Sequence, residues 1–319
     1  MNTFFVMFVR VAGLMLMILA GYAARKKEIL NEASTRALSL LLMTFIYPAS
    51  IYSSIVGSFT LPEILHLWKL PVFEAMIMLI GFLAAIPLLF VFSKHNVLER
   101  RMFHYQCTLM NFIFMPLPLV LMLLGERGVA LLSLAFIGGE STVWTLGVLA
   151  LSGGLKLNQL KKIFNMPFIA ILLGLGTLVI EHFCPFMKPS GDTAFSLVTS
   201  TLLTVLKSFG GATVGISMVV AGSGMATLEL KSILSRFNLT IASMRLLVIP
   251  LIAIGVLHLL PLEKEPLLVL SIVAMMPSSV SSVAYARALG GDVDTASAAI
   301  LLTHLGCLFT APLFYSIFC

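Results

Sequence analysis

Two short stretches place prolines and small polar side chains in the middle of long apolar runs. The first reads Asn111-Phe112-Ile113-Phe114-Met115-Pro116-Leu117-Pro118-Leu119, and the second Met275-Met276-Pro277-Ser278-Ser279-Val280-Ser281-Ser282. Proline has no backbone N–H, and its ring clashes with the preceding turn. A helix therefore cannot pass undisturbed through Pro116 and Pro118, nor through Pro277. In lipid, the carbonyls freed by such a break need partners in protein or in a water-filled cavity. The new helix start beyond each break offers free N–H groups and a partial positive charge, which suits a carboxylate. Asn111 adds two donors and an acceptor. Ser278, Ser279, Ser281 and Ser282 add small hydroxyls. The chemistry expected is binding of a small organic anion by Asn111, by the backbone around Met115, Pro116, Leu117 and Pro118, and by Pro277 with the four serines. The plainer use of the same groups is to satisfy the freed carbonyls.

Ionisable residues also fall inside other apolar runs: Glu140 and His304 near the middle of theirs, and Arg10, Lys207 and Arg245 nearer the ends. Ionisable residues within membrane segments are functional candidates by default. Glu140 and His304 are expected at about the depth of Asn111. Either could carry a proton, or the two could pair and lock their helices together. Arg245 could neutralise the anion, or pair with Glu140 or Glu74. Other chemistries find little support. There is no His-Glu-x-x-His zinc motif, no Gly-x-x-x-x-Gly-Lys-Ser/Thr loop and no Gly-x-Ser-x-Gly elbow. The only aspartates are Asp192, Asp292 and Asp294, which offer no evident dyad on separate helices. Cys107, Cys184, Cys307 and Cys319 lack metal-ligand spacing. They read as unpaired thiols, with a Cys184–Cys319 disulfide as the alternative. The chain is thus expected to be no enzyme and to hold no metal or cofactor beyond a possible coupling H+ or Na+.

The elements that must position these residues are membrane helices. The chain is 59% hydrophobic and only 11% charged, with a mean hydropathy of +1.06. A soluble domain carries about 25% charged residues. The net charge of +6 sits in short loops and does not imply nucleic acid. Ten segments of spanning length can be marked, at about 3–24, 35–56, 70–93, 102–124, 129–151, 167–184, 200–222, 239–260, 267–287 and 294–317. The basic residues concentrate in alternate loops: Arg25, Lys26, Lys27 and Arg36; Lys94, Arg100 and Arg101; Lys156, Lys161 and Lys162; Lys231 and Arg236; and Arg287. The intervening loops carry only Lys69, Arg127, Lys188 and Lys264. The positive-inside rule makes the first set cytoplasmic and sends both termini to the outer side.

Five spans per half give the second half opposite polarity. Pro116 and Pro277 are separated by about half of the 319-residue chain. The expected fold is an all-α polytopic membrane protein of ten transmembrane helices, with residues 1–152 and 153–319 as two inverted five-helix repeats. Interrupted segments at matching places of such repeats point to a transporter's binding site. In the seventh segment, Gly211 and Gly215 have the small-xxx-small spacing of close helix packing.

The motifs also carry a likeness. Tyr47-Pro48-Ala49 with Ser53-Ser54, Asn111 followed by Pro116-Leu117-Pro118-Leu119, Trp144-Thr145-Leu146-Gly147, Met276-Pro277-Ser278, Ala286-Arg287 and Gly290-Gly291-Asp292 resemble, in order, the auxin efflux carrier family in its bacterial branch. The resemblance implies a fold similar to that of bile-acid/sodium symporters, with broken helices 4 and 9 crossing. It implies a scaffold of spans 1, 2, 6 and 7 and a transport domain of spans 3–5 and 8–10 that moves elevator-like against it, often in a homodimer. Family substrates are organic anions: auxin in plants, with dicarboxylates such as malonate or malate suggested in bacteria. Near Ser281 many members carry Asn, where this chain offers its serine cluster. The expected protein is a secondary carrier in the bacterial inner membrane, coupled to protons. The alternatives are a sodium-coupled symporter and a sensor built on a carrier fold.

Overall fold

The computed structural model describes residues 3–154, 157–184, 194–226 and 233–319. Lys156, Lys188 and Lys231, counted above in loops, and Asp192 lie outside the described residues. The described chain is helical, with no strand. In order run α1 (Thr3–Lys26), α2 (Glu32–Leu41), α3 (Tyr47–Ser58), α4 (Leu61–His66), α5 (Lys69–Val91), α6 (Val97–Thr108), α7 (Pro116–Thr142), α8 (Val148–Ser152), α9 (Met166–Phe183), α10 (Ala194–Gly210), α11 (Thr213–Met225), α12 (Arg236–Ser243), α13 (Ile249–His258), α14 (Lys264–Ala274), α15 (Ser282–Leu289) and α16 (Val293–Phe318). Eight continuous helical stretches are long and apolar enough to cross a membrane.

Local chemistry fixes where helices start and bend. Asn31 with Ser34, Thr60 with Glu63, and Asn96 with Glu99 form capping boxes that open α2, α4 and α6. Asn165, Ser235 and Asp292 cap α9, α12 and α16 with side-chain oxygens. Wide π-turns at Leu42–Ile46 and Met244–Val248 lie just before Pro48 and Pro250. Each proline withholds an N–H from the carbonyl four residues back, and the widened turn takes up that defect. A third π-turn, Val143–Gly147, links α7 to α8. Within α7, Gly125 has φ 63° and ψ −153° and divides the element into two helices. Only glycine takes that backbone without strain, so the short connection between the segments marked 102–124 and 129–151 is a sharp kink.

The expected fourth and ninth segments are the interrupted ones. α6 stops at Thr108 and α7 starts at Pro116; α14 stops at Ala274 and α15 starts at Ser282. The prolines do not break helices in mid-run, as the sequence reading had it. Pro116 and Pro118 lie in the first turn of α7, where a missing N–H costs nothing, and the break falls just before them. Pro277 lies inside the second break.

α1 packs along α11 and α16, α3 along α9, and α5 along α6 and α7. A Cβ at Gly222 would come within 1.8 Å of the Ile18 carbonyl oxygen, so α11 and α1 approach backbone to backbone there. Gly211 and Gly215 do not serve this purpose within the protomer. Nothing lies within 4 Å of a Cβ placed at Gly215, and one at Gly211 would meet only its own helix. All four cysteines are free thiols, so the Cys184–Cys319 alternative is not formed.

Candidate functional site

The two breaks meet. Met110 and Ser278 form an antiparallel bridge, the one extended pairing among the described residues. The Asn111 N–H donates to Pro277 O at 2.7 Å. Sequence-distant helix ends thereby lend each other the backbone partners that each break removes. The Asn111 side chain turns back on its own break, its Oδ1 accepting from Phe114 N–H at 3.1 Å. The Ser278 N–H goes elsewhere, donating to Thr303 Oγ1 on α16 at 3.1 Å. Gln106 of α6 ties the junction to α15 and α16, with Nε2 donating to Ser282 Oγ at 2.9 Å and to Ala296 O at 3.3 Å.

A cavity of about 570 Å³ opens beside this junction. Its wall includes Asn111, Ser279 and Ser281 from the two breaks, together with Glu140, Tyr105 and Tyr285. Toward the surface it is lined by the exposed residues Lys162 and Arg287. The Lys162 ammonium stands 4.7 Å above the Trp144 ring, a cation–π contact. Glu140 is buried, and its Oε1 accepts from Trp144 Nε1 at 2.8 Å and from Asn165 Nδ2 at 2.5 Å. Trp144 is one turn beyond Glu140 on the same helical face. Asn165 is the cap of α9, so the Glu140 carboxylate bridges two helices.

The other expected site residues stand apart from the cavity. Met115, Pro116, Leu117 and Pro118 are buried behind Asn111, and Pro277, Ser278 and Ser282 are buried in the junction itself. Ser282 Oγ accepts from the Gln106 side chain, which is neither a cavity contact nor the bond to a freed carbonyl weighed for the serines. His304 and Glu140 do not pair. His304 Nδ1 is hydrogen-bonded to Ile300 O at 2.7 Å within α16, and Nε2 has no partner among the described residues. Arg245 does not pair with Glu140 either; it reaches backbone carbonyls behind the junction. Sequence reasoning missed Trp144, Asn165 and Lys162. The spacing of Glu140 and Trp144 and the cap position of Asn165 before Pro167 were the available signals.

A family model described as a membrane transport protein matches residues 6–159 and 154–315, nearly the whole chain. The chain belongs to the auxin efflux carrier family. It is therefore an integral membrane protein and a membrane transporter, and its family's members are transporters rather than enzymes. A comparison with curated proteins finds no match.

Proposed function

We propose that the chain is a secondary carrier for a small organic anion, a carboxylate, held where the two interrupted helices meet and moved by alternating access. One observation supports this reading most. Asn111, Ser279 and Ser281 share a cavity of small-molecule size with the meeting backbone ends, and two cations, Lys162 and Arg287, stand at its surface side. Glu140 on the same wall would repel a carboxylate while ionised. A proton taken up with the anion removes that repulsion, so the reading couples transport to protons. Because Glu140 also holds Asn165, the same proton bears on the contact between α7 and α9.

In this reading the eight long stretches and the two interrupted helices make ten spans, in inverted repeats 1–152 and 153–319. The transport domain of spans 3–5 and 8–10 slides elevator-like on a scaffold of spans 1, 2, 6 and 7, which would also join two copies. The cavity faces the cytoplasm, where Lys162 and Arg287 are expected, and both termini face outward across a bacterial inner membrane.

The test is uptake of labelled dicarboxylates and an indole carboxylate into proteoliposomes, under separately imposed proton and sodium gradients. Uptake is expected to follow the proton gradient. Asn111→Ala should lower it about tenfold, the worth of one well-made hydrogen bond. Glu140→Gln should leave binding in place and remove the dependence on the pH gradient. An Asn111→Ala protein transporting at the normal rate would take the site away from the junction. Uptake driven by sodium alone would replace the proton reading.

A further inference from the structure

Among the carbonyls that the two breaks free, one from each helix end shares a partner. In an unbroken helix Cys107 O would receive the N–H of Asn111, and Ala274 O that of Ser278. Here the first N–H goes to Pro277 O and the second to Thr303 Oγ1. The orphaned carbonyls stand in the last turns of α6 and α14, where helix ends carry partial negative charge. One guanidinium reaches both. Arg245 Nη2 donates to Ala274 O at 2.8 Å and Nη1 to Cys107 O at 3.4 Å.

Arg245 is fully buried and projects from the π-turn Met244–Val248. No carboxylate lies within 4.0 Å of it among the described residues. Glu74 of α5, also buried, acts on it from further away, and both Glu74 carboxylate oxygens lack a hydrogen bond among the described residues. Cys107 and Cys307 are the other titratable groups around it. The short-range partners of this buried charge are thus the two helix ends rather than an acid. Carbonyls at half-helix ends are the ligands with which interrupted-helix carriers coordinate a coupling sodium ion.

We propose that Arg245 is a resident cation of the junction, occupying with its own guanidinium the carbonyl site that a sodium ion would otherwise take. The inference deepens the carrier reading, yet it rests on the junction's geometry and can be tested without any substrate. It makes sodium unnecessary for holding α6 against α14 and leaves the coupling to another ion.

The experiment is thermal melting of the purified full-length protein in sodium chloride and in choline chloride at equal ionic strength. The parent protein is expected to melt at one temperature in both salts. Arg245→Ala should melt several degrees lower in choline and recover part of that loss in sodium with a saturable dose response. Arg245→Lys, which keeps the charge, should remain indifferent to sodium and melt above Arg245→Met, which keeps the length alone. Saturable stabilisation of the parent protein by sodium would overturn the proposal, as would an Arg245→Ala protein that melts alike in both salts. Where Arg245→Ala does not fold, an Arg245→Met protein as stable as Arg245→Lys overturns it equally.

Discussion

Residues 109–115 and 275–281 are breaks of equal length that face each other, yet they are held differently. The first is held from within and by backbone. Asn111 accepts from Phe114 N–H inside the break, and α5 presses on it so closely that a Cβ at Gly81 would come within 2.2 Å of Cys107 O. The second has only a longer internal bond, Ser281 N–H to Ser279 Oγ at 3.3 Å, and is held in addition by side chains of another helix. Thr303 Oγ1 receives Ser278 N–H, and Cys307 Sγ lies 3.8 Å from Met275 O. A break that supplies its own cap can be pressed against bare backbone. A break whose own cap is the longer Ser279–Ser281 bond borrows a hydroxyl and a thiol from α16 as well, and it depends on that helix staying in register.

Glycine substitutions should separate the two most sharply. At Gly81 an added methyl meets backbone that cannot move without shifting the first break. Gly81→Ala should therefore cost about 3 kcal/mol, the upper part of the range for overpacking. On the α16 side, a Cβ at Gly306 would meet only the Leu246 Cδ1 tip, at 2.4 Å. That side chain can turn away, and alanine gains about 1 kcal/mol of helix propensity over glycine. Gly306→Ala should thus be close to neutral. Denaturant or thermal unfolding of both variants checks the contrast, and equal losses would remove the distinction between backbone-held and side-chain-held breaks.

What the sequence revealed follows the same division. Pro116, Pro118 and Pro277 announce breaks because a missing N–H is a covalent, local property. The positions of both interruptions were therefore legible to within a few residues, although the prolines of the first turned out to start a helix rather than to break one. Glu140, Arg245 and His304 were legible as rare ionisable residues in apolar runs. Their partners were not. Glu140 was weighed as a proton carrier or a partner of His304 and is found with Trp144 and Asn165; Arg245 was weighed against the anion, Glu140 or Glu74 and is found on two carbonyls. Those partners are set by how helices far apart in the chain pack. A threonine such as Thr303 in a sixteenth helix gives no local sign that it caps a break 25 residues earlier.

The next contrast concerns those caps. Thr303→Val keeps the side-chain shape and removes the acceptor of the buried Ser278 N–H, which costs about 1–3 kcal/mol. Thr303→Ser should restore most of it. Asn111→Ala removes the corresponding cap from the first break. Phe114 is only half-buried, so water can replace the lost acceptor, and the loss should stay near 1 kcal/mol. Asn111→Asp separates support from binding. It keeps the acceptor for Phe114 N–H, so stability should hold, while its charge facing the cavity should depress uptake of a carboxylate. An Asn111→Asp protein that carries the anion as well as the parent would leave Asn111 a structural cap alone.

The smallest effect on stability is expected where the partners of the two breaks are tied together away from the cavity. Arg127, just past the Gly125 kink, donates through Nε to Glu265 Oε2 at 2.6 Å, and Glu265 lies in the first turn of α14. It also donates to Ser58 O at 3.3 Å, lies 3.9 Å from Glu63 and covers the Phe59 ring at 4.8 Å. The Arg127 and Glu265 side chains are 40% and 42% exposed, so screening limits the pair to about 0–1 kcal/mol. Arg127→Ala should melt within a degree or two of the parent. Its position predicts more than its energy does. This cluster joins α3 and α4 to α7 and α14 on the loops read as external, opposite the basic residues at the cavity mouth. In the carrier reading a change of access must open it. Loss of even 1 kcal/mol would shift a two-state access equilibrium about fivefold. A Ser279→Cys substitution in a background lacking the four native cysteines gives the readout. With Arg127→Ala added, a membrane-impermeant thiol reagent applied on the Arg127 side should label that cysteine faster. If the rate stays the same, the cluster is ordinary surface packing and the closed outer end must be held by the apolar contacts around it.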